Sequence, residues 1–149
     1  MKKTFVSVKN AGDRPDDTYK KAVEKIRADA VCPFCPDNLA RYHKKPIIKT
    51  GRYWILTANM YPYRGARHHL LMVYKKHVEH LSEVAPRAWS ELLKLTQAEA
   101  GKRAIAGGMF YMRFGDTSHT GASVAHLHAN LVSPDIRGKN RKPVTVRVG

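Results

Sequence analysis

Gly121-Ala122-Ser123-Val124-Ala125-His126-Leu127-His128-Ala129-Asn130-Leu131-Val132 is the stretch that says most about this chain. Its alternation predicts a strand over 124–133. Successive side chains of a strand point to opposite faces, so His126, His128 and Asn130 share one face while Leu127, Ala129 and Leu131 share the other. Two imidazoles and a carboxamide then line one wall. A neutral imidazole is a nucleophile at physiological pH and can attack phosphorus to form a covalent phosphoramidate. The loop before it holds Gly115, Thr117, Ser118, Gly121 and Ser123, whose backbone N–H groups and hydroxyls suit phosphoryl oxygens. From spacing alone a second reading stays open, in which the two histidines simply hydrogen-bond inside a core.

Working outward, Met109-Phe110-Tyr111-Met112-Arg113-Phe114 predicts a neighbouring strand, and His69-Leu70-Leu71-Met72-Val73-Tyr74 is apolar on both faces, as a central strand must be. Pro46–Thr50 and Tyr53–Thr57 flank Gly51-Arg52 and read as a hairpin. Trp89, Leu92, Leu93, Leu95 and Ala100 recur at helical spacing, predicting the longest helix over 86–106, stopped by Gly107-Gly108. Tyr19, Ala22, Val23, Ile26 and Ala30 form an apolar stripe behind Asp13, Asp16 and Asp17, predicting a helix over 15–29. Residues 1–12 suggest a weak strand or a loose arm, 59–67 and 115–120 loops, and 142–148 an edge strand. Pro33 and Pro36 exclude a helix continuing through the segment between them. Strands interrupted by a few helices indicate an α+β fold with an antiparallel sheet.

The chain has 149 residues, with 27 Lys and Arg against 12 Asp and Glu, a formal charge of +15. That length buries a core without disulfide staples. The charge favours anionic partners such as nucleotides or nucleic acids, although a solvated basic surface gives the same composition. Two cysteines exclude a disulfide scaffold, and their spacing in Cys32-Pro33-Phe34-Cys35 suits a metal knuckle or a redox pair in a reducing compartment. No apolar run reaches the roughly 20 residues of a membrane span, and the two lysines near the start precede no apolar stretch of a signal peptide. A cytoplasmic protein without a membrane partner is the expectation.

Gly-x-Ser-Val-x-His-Leu-His with a polar residue two places on resembles the signature of the histidine-triad (HIT) nucleotide hydrolases and transferases, whose pattern is His-φ-His-φ-His-φ-φ with φ apolar. Asn59-Met60-Tyr61-Pro62-Tyr63, His69-Leu70-Leu71-Met72-Val73 and Lys75-Lys76-His77 also resemble it, particularly its diadenosine tetraphosphate phosphorylase-like branch. The match covers 32–132. Residues 1–30 therefore read as an N-terminal helical extension and 31–149 as the histidine-triad domain. The resemblance implies a sheet of about five antiparallel strands with a long helix, paired in a homodimer.

It also implies roles. His128 would be the nucleophile that takes up the nucleoside monophosphate group, and His126 would orient the site or bind metal. Ser123, with Gly121, would bind phosphate; Asn59 would hold the ribose hydroxyls; His69 would support the triad; and His119 is a further candidate for ligand contact. Cys32, Cys35, His77 and His126 fill the positions of a structural zinc site, while buried free thiols and a redox pair are the other readings of the cysteines. His43 and His80 are expected at the solvent-exposed surface. Three departures stand out: Asn130 replaces the third histidine of the hydrolases or the glutamine of the transferases, Ala122 stands where many members carry glutamine, and Arg67-His68 replaces small loop residues. An amide at position 130 cannot act as an acid or base. The leading expectation is an enzyme that cleaves phosphoanhydride or phosphoramidate bonds of nucleotides or dinucleotides. Alternatives are an enzyme that removes adenylate from nucleic-acid 5′ ends, as the aprataxin branch does, and a non-catalytic nucleotide or RNA binder.

Overall fold

The computed structural model describes residues 4–12 and 17–149. Five strands form one antiparallel sheet: β1 (Ile47–Thr50), β2 (Trp54–Ala58), β3 (Ala66–Tyr74), β4 (Met109–Arg113) and β5 (His128–Pro134), in the order β1-β2-β3-β5-β4. The apolar strand β3 is central, as its two-sided apolar pattern demands. The α+β, five-stranded architecture expected from the sequence is the one observed.

Each sheet face has its own task. Trp54, Leu56, Leu70, Met72, Tyr74, Ala129 and Leu131 pack with Ala88, Leu92 and Leu95 of helix α4 (Pro86–Lys102) in the main core. Trp54 donates its indole N–H to the Ala88 carbonyl at 2.8 Å, and the Glu91 carboxylate accepts the backbone N–H groups of Arg52, Tyr53 and Trp54 at 2.6–2.9 Å, tying the hairpin turn to the helix. A Cβ at Gly51 would stand 2.7 Å from that carboxylate, so a larger residue would shift the Glu91 side chain that accepts these three N–H groups. The opposite face carries the candidate site residues His128 and Asn130. It is covered by α2 (Asp17–Asp29), the cysteine knuckle and α3 (Pro36–Tyr42). A small second core of Val6, Ala11, Val23 and Val124 joins α2 and α1 (Val8–Ala11) to the segment preceding β5.

Several expectations change. The strand predicted over 124–133 starts only at His128: Val124 bridges Val6, Ala125 N–H donates to Phe5, and Leu127 N–H donates to Val78 while its carbonyl accepts from Tyr74 at the end of β3, so 124–126 leaves the sheet and Leu127 stays buried in the core. Helix α4 stops at Lys102, before the glycines. Ala104 turns left-handed (φ 49°), its N–H reaches Gly101, and Ile105 N–H reaches the Ala100 carbonyl, a Schellman ending that packs Ile105 against the core. Pro36 forbids a helix from running on, yet it opens α3 because proline suits the first turn. Ser7 caps α1 where an arm or strand was expected, and Asp116 caps a short helix α5 (Thr117–Thr120) inside the predicted loop. Residues 142–148 form no strand; Pro143 lacks a donor, and the Arg147 carbonyl accepts from Arg113 at 2.6 Å. Of the predicted helix over 15–29, Pro15 and Asp16 lie outside the described residues, as does Asp13.

Candidate functional site

One pocket opens on the functional face, and His128, Asn130, Asn59, Ser123 and Arg113 all line it. His128 begins β5. Its Nδ1 lies 2.6 Å from the His126 carbonyl, which can only accept, so Nδ1 carries the proton and Nε2 keeps its lone pair. Burial pushes His128 down to about 4, Arg113 pushes in the same direction, and the ring is neutral at physiological pH. Phe34 from the knuckle meets this ring edge-on at 5.1 Å.

Asn130 lies two residues along the same strand, hence on the same face. His69 Nδ1 accepts the Tyr63 N–H at 3.2 Å, so its Nε2–H donates to Asn130 Oδ1 at 2.9 Å. The amide nitrogen of Asn130 is thereby turned away from His69. Asn59 Oδ1 accepts the Tyr61 N–H at 2.8 Å, and its side-chain nitrogen lies 3.2 Å from His69 Nε2. His69 is thus a buried support behind two pocket amides. Over the pocket lie Tyr19, Ala22, Val23 and Ile26 of α2, and the Tyr19 hydroxyl hydrogen-bonds the Ser123 hydroxyl. The apolar stripe that predicted α2 serves as the roof of the pocket.

A second constellation lies behind His128. Ligand atoms of Cys32, Cys35, His77 and His126 all fall within 4.8 Å of one another. Donor chemistry and orientation both fit zinc. His126 Nε2–H donates to the Tyr74 carbonyl at 2.6 Å, leaving Nδ1 to face Cys32 Sγ at 3.2 Å and His77 Nδ1 at 3.2 Å. His77 Nδ1 stands 3.6 Å from Cys35 Sγ, and its Nε2 lies 3.4 Å from the Glu79 carboxylate, which favours the tautomer with Nδ1 open. Burial pushes the Cys32 thiol up to about 12, a cost of ionisation that a bound cation would offset, and His126 down to about 4, which keeps its imidazole in the neutral form that ligates metal. The two thiols form no disulfide.

No family model matches the sequence, and no curated protein matches it. Solved structures do. A HIT family hydrolase from Clostridium thermocellum superposes with a TM-score of 0.54 at 23% identity, covering 73% of this chain and 96% of that one. A histidine triad nucleotide-binding protein from Candida albicans gives 0.58 at 16% identity, over 78% and 87% of the two chains. The chain has the histidine-triad fold. A Zn-bound histidine triad family protein from Mycobacterium smegmatis matches this fold too, at 0.55 and 19% identity over 76% and 81%.

Within this histidine-triad fold the sequence-predicted residues divide. His128, Asn130, Asn59 and Ser123 meet at the pocket, with His69 buried behind them. His126 sits before the strand and turns to the cysteines, so it does not share the pocket wall as the alternation over 124–133 implied. The structure does not bring His119 or Gly121 to the pocket: His119 is exposed on α5, and Gly121 ends that helix with φ 70°. His43, expected on the surface, instead lines the pocket and donates Nε2–H to Thr57 Oγ1 at 2.8 Å. Sequence reasoning also missed Tyr19, Tyr42 and Arg113. The available signal was strand period: Arg113 pairs with His128 across the β4–β5 ladder and must share its face.

Proposed function

We propose that this chain is a nucleotide hydrolase or nucleotidyltransferase acting through a covalent His128–nucleotide intermediate on phosphoanhydride or phosphoramidate bonds of mono- and dinucleoside phosphates. The observation that carries the reading is the His128 tautomer. With Nδ1–H spent on the His126 carbonyl, Nε2 is the basic nitrogen left for a substrate, in a pocket that also holds amide and hydroxyl groups. Nε2 attacks the nucleoside-bound phosphorus, the bond to the leaving group breaks, and its electron pair departs with that group. Water or phosphate then attacks the same phosphorus, the P–N pair returns to Nε2, and the proton that water loses passes to solvent. Asn59 binds the ribose hydroxyls, Ser123 a phosphoryl oxygen, and the amide of Asn130 positions the phosphoryl group.

Cys32, Cys35, His77 and His126 would hold zinc, which supplies a structural cross-link between the knuckle and the chain entering β5. Residues 1–30 act in this reading as an extension that roofs the site built by 31–149. The edge strand β4 exposes Met109, Phe110 and Phe114 nearby, a surface suited to a homodimer, which analytical ultracentrifugation tests. Incubation with diadenosine tetraphosphate, with and without phosphate, tests the activity. The expected products are ADP with ATP in phosphate, or AMP with ATP in its absence, and the nucleotide adduct seen by intact-protein mass spectrometry disappears in His128→Ala. Equal turnover by His128→Ala refutes the mechanism.

The +15 charge favours a second reading, removal of adenylate from nucleic-acid ends. Arg64, Arg67, Arg137, Lys139, Arg141 and Lys142 are exposed. Salt-dependent binding of short duplexes supports that reading, and no binding at low salt removes it.

A further inference from the structure

Asn130 on the pocket wall can neither protonate nor carry charge, and the structure places a cation beside His128. Arg113 ends β4 directly opposite His128 in the antiparallel ladder, so both side chains rise from one face of the sheet. Among the described residues it is the one Lys or Arg that lines the pocket. Its side chain is held in place: a terminal nitrogen donates to the Arg147 carbonyl at 2.6 Å, and the guanidinium lies 5.3 Å from the centre of the Tyr111 ring. Its Nε is buried without a hydrogen-bond partner. A buried N–H of a cation left without an acceptor is costly, and it is the arrangement expected of a donor reserved for an anionic ligand.

We propose that Arg113 is a catalytic residue that meets the charge on the departing group, and that the site therefore takes nucleotides whose leaving group departs as an anion, phosphoanhydrides in preference to phosphoramidates. The inference rests on the covalent His128 mechanism. When His128 Nε2 attacks, the P–O bond of an anhydride breaks, and its electron pair stays on the bridging oxygen of the departing phosphate. A guanidinium N–H stabilises that oxygen without transferring a proton. An amine leaving from a phosphoramidate must instead collect a proton. Asn130 has none to give, the Tyr42 hydroxyl donates to Asp29, and the His43 Nε2–H is committed to Thr57, whose own hydroxyl donates to the Pro46 carbonyl, which leaves the hydroxyls of Tyr19 and Ser123, bonded to each other, and of Tyr61. Among the described residues the lining offers a fixed cation and no carboxyl group to deliver a proton.

The test is the single-turnover rate of His128 nucleotidylation, followed by rapid quench and intact-protein mass spectrometry, with diadenosine tetraphosphate and with adenosine 5′-phosphoramidate. Wild type should favour the anhydride. Arg113→Gln should lower the anhydride rate about 10²–10³-fold, the loss seen when one preorganised oxyanion donor is removed, and lower the phosphoramidate rate at least about tenfold less than that. Arg113→Lys keeps the charge without the Nε–H, should lose an intermediate factor, again mainly on the anhydride, and serves if the glutamine variant does not fold. A wild-type preference for the phosphoramidate, an equal loss on both substrates in Arg113→Gln, or no loss in either variant overturns the proposal. Adduct formation that depends on His128 but not on Arg113 overturns this inference alone. Absence of any His128-dependent adduct with either substrate overturns the covalent mechanism and this inference with it.

Discussion

Lowering the pH from 7 to 5 should barely slow the first chemical step, although the proposed nucleophile is a histidine. An ordinary imidazole with a pKa of about 6.5 is only about 3% neutral at about pH 5, which would cost roughly 30-fold in nucleophile. Burial holds His128 at about 4, with Arg113 opposing a second positive charge, so about nine-tenths of it is still neutral at about pH 5. The sign follows from the direction of the shift: a lowered pKa extends the nucleophilic form toward acid, and the rate falls only as pH approaches about 4. Diadenosine tetraphosphate is the right substrate because it carries no terminal phosphate monoester to titrate across this range. The assay is single-turnover nucleotidylation between about pH 4.5 and 8, with metal content measured at each point so that ligand protonation is not mistaken for nucleophile titration. A fall of about fivefold or more between pH 7 and 5.5 with metal retained would approach the roughly eightfold loss of an ordinary imidazole and refute the reasoning.

Three further outcomes follow from the geometry. Cys35→Ser should lower the zinc content of purified protein below one per chain and reduce thermal stability, read by metal analysis and calorimetry, because one of four clustered donors is lost. Tyr19→Phe should release the Ser123 hydroxyl from its partner on α2 and change KM for nucleotide more than kcat, whereas an equal fall in kcat would place Tyr19 in the chemistry. Glu91→Ala should cost about 2–4 kcal/mol in urea unfolding, since three backbone N–H groups at the hairpin lose a charged acceptor, partly replaced by water.

The sheet was readable from the sequence because binary pattern reports burial, and burial sets strand position: β3 is apolar on both faces and lies at the centre. His128 and Asn130 were readable from strand period, Ser123 from the small-residue loop before them, and Asn59 only through the resemblance of Asn59-Met60-Tyr61-Pro62-Tyr63 to the family's pattern. His126 was misplaced for a physical reason. Alternation assumes a continuous ladder, and the ladder ends at His128, where the preceding residues pair with Phe5 and Val78 instead. His43 and Tyr19 reach the pocket through tertiary packing of α2 and α3 against the sheet, which no local spacing encodes. His119 was placed in the site by its neighbours in sequence, yet α5 turns it to solvent.

That interruption of the ladder also joins the two constellations. The carbonyl that fixes the His128 tautomer belongs to His126, the residue whose Nδ1 faces the cysteines. His126 is itself set by the Tyr74 carbonyl at the end of β3, so two consecutive carbonyl contacts pass orientation from the sheet to the cluster and from the cluster to the nucleophile. The two rings consequently expose opposite nitrogens, Nδ1 toward the thiols and Nε2 toward the pocket. A metal held by Cys32, Cys35, His77 and His126 would pin the peptide carrying the carbonyl, and nucleophile alignment would depend on it without the metal touching substrate. Mild chelation should then reduce the nucleotidylation rate while far-ultraviolet circular dichroism is still native, because alignment of one carbonyl fails before the sheet does. Full activity in metal-free, folded protein would show that β5 alone orients His128.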